Sequence, residues 1–231
     1  MKTKLIIYTI ICTLFLACGK KADYTPEFIE KTTGRYLFNV NEVIEVYFEN
    51  NELFLKWRGA EKIEPLYLEE NTYFIKEMNK KIKFLKHPEN KIMYISEVSP
   101  DENAKTTYNY KKMPDSLHVP STYLKNKEYE KATEGYLAIQ KEDSLNVFIE
   151  EHVFNRLGYN KLKEKEFDEA IEHFKINVAL YPESSNVYDS LADAYARKGD
   201  SLQAYNNYKK ALQLNTSNDR AKRFIASYNN E

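Results

Sequence analysis

Two copies of one pattern, 34 residues apart, limit what this chain can fold into more than any other feature. Between Phe154 and Asn218 a large aromatic is followed three residues on by Leu, then by a small residue, then by a second half built round Ala. The first copy holds Phe154, Leu157, Gly158, Ala170, Phe174 and Pro182, and the second holds Tyr188, Leu191, Ala192, Tyr195, Ala204, Tyr208 and Ala211. A period of this length makes each copy one supersecondary unit, a pair of antiparallel helices that cannot bury its apolar side alone and must stack on a neighbour. Small residues at Gly158 and Ala192 let the second helix approach through Ala170 and Ala204, while the aromatics fill the remaining volume.

The pattern resembles the tetratricopeptide repeat, with full copies expected over 151–184 and 185–218. Thr216 replaces the Pro usual in that family, and Lys161 and Asn177 stand where an aromatic and a small residue are usual; Lys161 is expected to snorkel. Upstream, Tyr123, Ala132 and Tyr136 hold second-half places, which predicts a partial repeat over 121–144. Ala132 to Ala170 spans 38 residues rather than 34, so four residues are inserted near Asp143 to Asn146. Asp143 or Ser144 is then expected to cap a long helix holding Phe148, Phe154 and Leu157. The run DRAKRFIASYNNE predicts a capping helix over 219–229, with Ala221, Phe224, Ile225 and Tyr228 toward the stack.

By analogy with that family, the ligand-facing positions of the first helices fall on His152, Asn155, Tyr159, Leu162 and Lys163, then on Asn186, Asp189, Asp193, Ala196 and Arg197. This mixture lacks the paired Lys and Asn of repeats that clamp a C-terminal carboxylate. The resemblance therefore implies an unknown protein or peptide partner, bound as an extended or helical segment. The alternative is a face that is solvated or covered by the rest of the chain.

From about Gly34 to Tyr110 the apolar period changes to two, and short runs recur between turn signals, which predicts a meander of some eight strands. In VIEVYFENNELFLKW, a two-residue turn at Asn50-Asn51 sets Phe48 against Leu53, Val46 against Leu55 and Ile44 against Trp57, with Glu45 meeting Lys56 on the other side. The fold class expected is α+β multidomain: a small antiparallel β meander, a curved sheet or barrel, over 31–114, a linker over 115–120 marked by Pro114 and Pro120, and all-α tetratricopeptide repeats over 121–231. Lys80, Lys81, Lys83 and Lys86 form the one basic concentration and read as a charged edge that discourages strand addition. Tyr36, Phe38, Tyr47, Phe54, Tyr73 and Tyr94 either form the ordinary core or line a cavity for a small apolar or peptidoglycan-derived ligand.

The GRYLFN opening, the VYFENNELFLKW hairpin, PLYLEENTYFI, KIKFL and KTTYNYKK resemble the small β domain that follows the catalytic domain in serine β-lactamase-like hydrolases and esterases. The repeat run AIEHFKINVALYPESSNVYDSLADAYARKGD is similar to repeat tails of the same class. The resemblance thus implies the non-catalytic C-terminal region of such a hydrolase, as an accessory or remnant. The chemistry of that class is missing from the sequence, which contains no Ser-x-x-Lys and no Gly-x-Ser-x-Gly. Tyr205-Asn206-Asn207 matches a Tyr-x-Asn element in letters but falls between the packing residues Ala204 and Tyr208, and Lys31-Thr32-Thr33-Gly34 carries an extra Thr. His87, His118, His152 and His173 show no metal-ligand spacing, and the glycines form no phosphate loop. The expectation is no enzyme, no cofactor and no metal.

Residues 1–17 are of another material: Lys2 and Lys4, then a thirteen-residue apolar run ending in Ala17, then Cys18-Gly19. This is the build of a secretory signal, and LFLAC resembles a bacterial lipoprotein box that would place a lipid on Cys18. An uncleaved anchor is the alternative. With Cys12 lost in the signal and Cys18 lipidated, no thiol would remain, and 18–30 would be a tether in which Pro26 interrupts any helix. A net charge of −1 gives no reason to expect nucleic acid. Lys20 and Lys21 do not form an acidic surface-export signal, so the expected place is the periplasmic side of a bacterial envelope. The expected role is a lipid-anchored, non-catalytic protein whose repeats hold a partner.

Overall fold

The computed structural model describes residues 22–101 and 103–230. The signal segment, Cys18 and the first part of the tether lie outside the described residues. Helix α1 (Pro26–Thr32) begins where the tether was expected to stay irregular. Pro26 starts this helix rather than interrupting one, because the first turn needs no N–H from it, and the Thr25 hydroxyl accepts from the Phe28 N–H at 3.2 Å.

Nine strands follow: β1 (Gly34–Asn39), β2 (Glu42–Glu49), β3 (Glu52–Trp57), β4 (Ala60–Ile63), β5 (Leu66–Glu69), β6 (Thr72–Ile75), β7 (Lys80–Lys86), β8 (Met93–Glu97) and β9 (Tyr110–Lys112). They form one antiparallel sheet in the order β4-β3-β2-β1-β9-β8-β7-β6-β5. Its outermost strands, β4 and β5, are consecutive in sequence and joined only by Glu64 and Pro65, so the sheet curls into a half-barrel. The β2–β3 register pairs Phe48 with Leu53, Val46 with Leu55 and Glu45 with Lys56, as the two-residue turn requires. Asn50 (φ 52°) and Asn51 (φ 61°) supply that turn, and Asn71 (φ 58°) and Asn79 (φ 50°) turn β5 into β6 and precede β7. Asn is the non-glycine residue that best tolerates this left-handed region.

Two expectations fail here. β7 pairs with β6 on one side and β8 on the other, so the lysine cluster is not on a sheet edge; the edges are β4 and β5. The run from Ala104 to Lys112 is strand only over its last three residues. Upstream of that, side chains take the hydrogen bonds a ladder would use: Asn109 Oδ1 accepts from the Glu97 N–H at 2.8 Å, and Ser96 Oγ donates to the Thr107 carbonyl.

The chain forms two compact units, one comprising the residues up to Gly34 with Glu45–Lys111, the other Arg35–Ile44 with the chain from Lys112 onward. In the first, Val46, Leu55, Ile63, Ile75, Ile82 and Ile95 are at most 1% exposed. Tyr24 and Phe28, from the segment that was expected to be a tether, meet Phe48 edge-on at centroid distances of 5.1 and 6.3 Å, and Phe28 also meets Phe84 at 6.0 Å. Of the six aromatics that might have lined a ligand cavity, Phe54 and Tyr73 are buried in this unit at 4% and 1% exposure. Desolvation raises the pKa of Tyr73, and its contact with Tyr24 adds to the rise.

In the second unit, β1 and the turn after it fasten to the chain beyond β9. The Met113 N–H donates to the Arg35 carbonyl at 2.7 Å, the Arg35 guanidinium donates to the Asp115 carbonyl at 2.8 Å, and Asn41 Oδ1 accepts from the Ser121 N–H at 2.9 Å. These bonds occupy the segment expected to be a linker. Next come α2 (Pro120–Lys125), α3 (Tyr129–Glu142), α4 (Glu151–Lys163), α5 (Phe167–Leu180), α6 (Ser185–Lys198), α7 (Ser201–Leu214) and α8 (Asp219–Tyr228). The long helix expected to start at Asp143 or Ser144 starts at Glu151 instead, leaving Phe148 outside it. Asp143 and Asn146 use their side-chain oxygens on the N–H groups of Leu145 and Phe148, two residues on, which builds turns rather than a helix start.

Helices α4/α5 and α6/α7 are the tetratricopeptide-type hairpins. Ala132, Ala170, Ala192, Ala204 and Ala211 are all 0% exposed. A Cβ on Gly158 would stand 2.5 Å from the Phe174 ring, which is why no larger residue fits there. Gly199 (φ 92°) ends α6 in the left-handed conformation that glycine adopts without strain. The two departures from the repeat pattern have structural uses. Lys161 reaches Glu164 at 3.2 Å, Glu169 at 3.3 Å and also Glu166. Asn177, 0% exposed, donates to the Glu151 carbonyl at 3.0 Å and so ties α5 to the start of α4.

Candidate functional site

The first helices of successive hairpins, α4 and α6, carry the residues that analogy with the tetratricopeptide repeat marks as ligand-facing. Helical geometry puts Asn155 one turn after His152 and Tyr159 one turn after Asn155, on one side of α4. His152 is exposed, with Nδ1 3.0 Å from Glu150 Oε2, and Lys163 is exposed at the helix end. Asn155 is half-buried, and its Oδ1 is a buried acceptor with no hydrogen-bond partner among the described residues. Tyr159 lies edge-on to Phe174 at 5.2 Å. Leu162 is not on this face in any useful sense: it is 5% exposed and packs with Ala170, Ile171 and Phe174 in the core. The α-helical period carries it past the groove because its neighbour in space is the second helix of the hairpin.

On α6, Asn186 is exposed and donates to Glu151 Oε1 at 2.7 Å, which links the two first helices. Asp189 is 6% exposed; Oδ1 accepts from Asn218 Nδ2 at 2.9 Å and Oδ2 lies 2.8 Å from Arg220 Nη2. Asp193 Oδ1 accepts from Arg197 Nε at 3.1 Å. Its Oδ2 is 3.4 Å from Arg220 Nη1, close enough for ion pairing but without a directed hydrogen bond. Ala196 is half-buried against the core of the last hairpin, and Arg197 is exposed.

Arg220 and Asn218 were not among the expected groove residues, although a signal for Arg220 exists. Stepping 34 residues from His152 gives Asn186, and a further 34 gives Arg220, so α8 is a third first helix as well as a cap. Burial opposes the charge on Arg220, but the Tyr159 hydroxyl, Asp189 and Asp193 outweigh it and hold its pKa above the usual arginine value. Asp193 likewise raises Arg197. The centre of the face is thus two carboxylates balanced by two guanidinium groups, with a tyrosine hydroxyl at its border. Such an arrangement supplies paired charges and one unfilled acceptor.

Among the described residues, no group of three or more His, Cys, Asp or Glu is placed to hold a metal ion, and no helix is long and apolar enough to cross a membrane. Of the aromatics considered for a β-half cavity, Tyr73 borders a cavity of about 350 Å³ together with Tyr24, Phe28 and Tyr67.

No family model matches the chain. An uncharacterized protein, ycf37 of Cyanophora paradoxa, is 27% identical over 116 residues, 50% of this chain and 67% of that protein. Among solved structures, the first TPR of Spaghetti (RPAP3), bound to the HSP90 peptide SRMEEVD, is similar at 18% identity over 47% of this chain and 82% of that one, with a TM-score of 0.33. A crystal structure of MamA is similar at 21% identity over 47% of this chain, with a TM-score of 0.31, and the match spans 61% of that chain, less than two thirds of its length. The Sgt2 TPR domain from Aspergillus fumigatus is similar at 18% identity over 47% of this chain and 70% of that one, with a TM-score of 0.33. At scores this low the repeat architecture rests on the chain's own spacing and helix pairing.

Proposed function

We propose that the protein acts without catalysis, holding a protein or peptide partner on the face formed by α4, α6 and α8. The observation that carries this reading is the buried, unfilled Asn155 Oδ1, one turn from exposed His152 and from Tyr159. A buried acceptor left without a donor is costly, and turning the Asn155 amide outward to meet an N–H of a bound segment would satisfy it. The neutral charge balance of Asp189, Asp193, Arg197 and Arg220 favours a partner segment that is polar but not strongly charged.

The same proposal places the chain on a bacterial envelope, facing the periplasm and held by a lipid on Cys18. Its support is the sequence of residues 1–21. If Cys18 carries the lipid, the first packed ring is Tyr24, and six extended residues reach only about 20 Å. The β half would then sit close to the membrane, on a tether much shorter than one ending at Glu30. The combined resemblance of both halves to the non-catalytic region of serine β-lactamase-like hydrolases supports an accessory role beside such an enzyme.

Cross-linking in intact membranes followed by affinity purification of the full chain tests the partner. A defined protein is expected with the wild type and is expected to be lost with Asn155→Leu or Arg197→Glu. Equal recovery with both folded variants would remove the face from consideration. Tyr159→Ala is a poorer probe because it also strips Phe174 of its edge contact. Cys18→Ser is expected to abolish fatty-acid labelling and release the protein from membranes; unchanged labelling would defeat the anchor.

A further inference from the structure

The lysine cluster of β7 lies inside the sheet, and its purpose is therefore not edge protection. Lys83 stands between Thr72 of β6 and Ser96 of β8, and Lys81 lies two residues before it on the same face. That face borders a cleft of about 930 Å³ shared with the segment 98–101 and 104–109. Hydrogen bonds hold the segment in place: the Val98 N–H donates to the Lys81 carbonyl at 2.8 Å, and Thr107 Oγ1 donates to Asn109 Oδ1 at 2.8 Å.

Lys80, Lys81, Lys83 and Lys105 line the cleft, against the carboxylates of Glu97 and Asp101. Glu97 is already engaged by Lys80 at 2.6 Å and by the Tyr110 hydroxyl at 2.5 Å, and Asp101 Oδ1 accepts from the Asn103 N–H at 2.9 Å. Among the described residues Lys81 reaches only the exposed Glu69, at 3.5 Å. Among the described residues no carboxylate pairs with Lys83 or Lys105. Lys83 and Lys105, without a carboxylate partner among the described residues, stand beside Lys80 and Lys81 in a concave site, an arrangement that focuses positive potential and attracts anions. Ser99 and Thr106 add hydroxyl donors at the same cleft. Lysine is a compact point charge rather than a planar fork, so it accepts oxyanions of either carboxylate or phosphate geometry.

We propose that this cleft binds a small organic polyanion carrying two or more phosphate or carboxylate groups. The inference is independent of the repeat face. Calorimetric titration of the full chain with tripolyphosphate and, separately, with citrate tests it and distinguishes the two sources. Saturable binding of at least one probe is expected, weakening as added salt screens the lysines. The Lys83→Gln, Lys105→Gln double variant is expected to lose about tenfold or more in affinity, as the removal of charge-assisted contacts predicts. The double arginine variant keeps binding, and Lys209→Gln on α7 leaves it unchanged. Should Lys83→Gln disturb the sheet, Lys105→Gln alone still reports, since it lies on the loop side. No saturable binding of either probe, or wild-type affinity in a folded double Gln variant, overturns the proposal.

Discussion

The helical hairpins and the β half use the same kinds of residue in opposite ways. In the hairpins, buried Ala and Gly set how close two helices come, and aromatics at repeating positions fill the space beside them; the contact Gly158 makes with Phe174 has its counterpart 34 residues on, at Ala192 and Tyr208. In the β half, Tyr24, Phe28, Phe48, Tyr73 and Phe84 meet in one aromatic cluster drawn from four separate segments, and nothing in it recurs. A contact that repeats along the chain announces itself by spacing. A contact made once does not.

The largest effect that tests this contrast is Phe154→Ala. Phe154 is 1% exposed and meets Tyr136 edge-on at 4.9 Å, so its removal is expected to cost about 3–5 kcal/mol in chemical denaturation. A loss under about 1 kcal/mol would break the claim that periodic aromatics hold the hairpins, since it would match an ordinary surface change. Gly158→Ala is expected to cost about 1–3 kcal/mol, because its Cβ would press on a ring with no room to retreat. On the β side, replacing both Asn50 and Asn51 by Ala is expected to cost about 1–2 kcal/mol per residue in the left-handed turn, while Gly at both is tolerated. Equal stability of the Ala and Gly versions would show that the turn does not set the register.

The smallest effect expected is one of pH. His173 on α5 is 6% exposed, its Nδ1 has no hydrogen-bond partner among the described residues, and burial, then Lys161, lowers its pKa. The unfolded chain therefore takes up a proton on this residue at higher pH than the folded one does. Its neutral form favours folding fully above the unfolded value of about 6.5, and that contribution is lost as pH falls from there toward the lowered folded value. His173→Leu is expected to flatten stability against pH over that window in thermal melts. An unchanged slope would show that other groups govern it.

The hairpin register was legible because two Asn between alternating runs leave one pairing that puts Val46, Leu53 and Leu55 on the buried side. The position of β7 was not, because alternation along a strand carries no information about which strands flank it. Pro26 misled for a related reason: the same residue breaks a helix in its interior and suits its first turn, and only the packing of Phe28 on Phe48 and Phe84 decides which applies. At the repeat face, analogy with the tetratricopeptide repeat pointed to Asn186, Asp189 and Asp193. It could not show that Arg220 and Asn218 would already engage Asp189, or that Leu162 would turn into the core.

The sequence by itself determined what is local or periodic: the hairpins of the repeats, the small residues at their crossings, and the Asn turns of the meander. These follow from the backbone's 3.6- and 2-residue periods and from steric limits at single positions. Only the tertiary structure decided which charges meet and which face open space, because those depend on partners far apart in the chain. Arg220 is thereby balanced against two carboxylates, while Lys83 and Lys105 share a cleft.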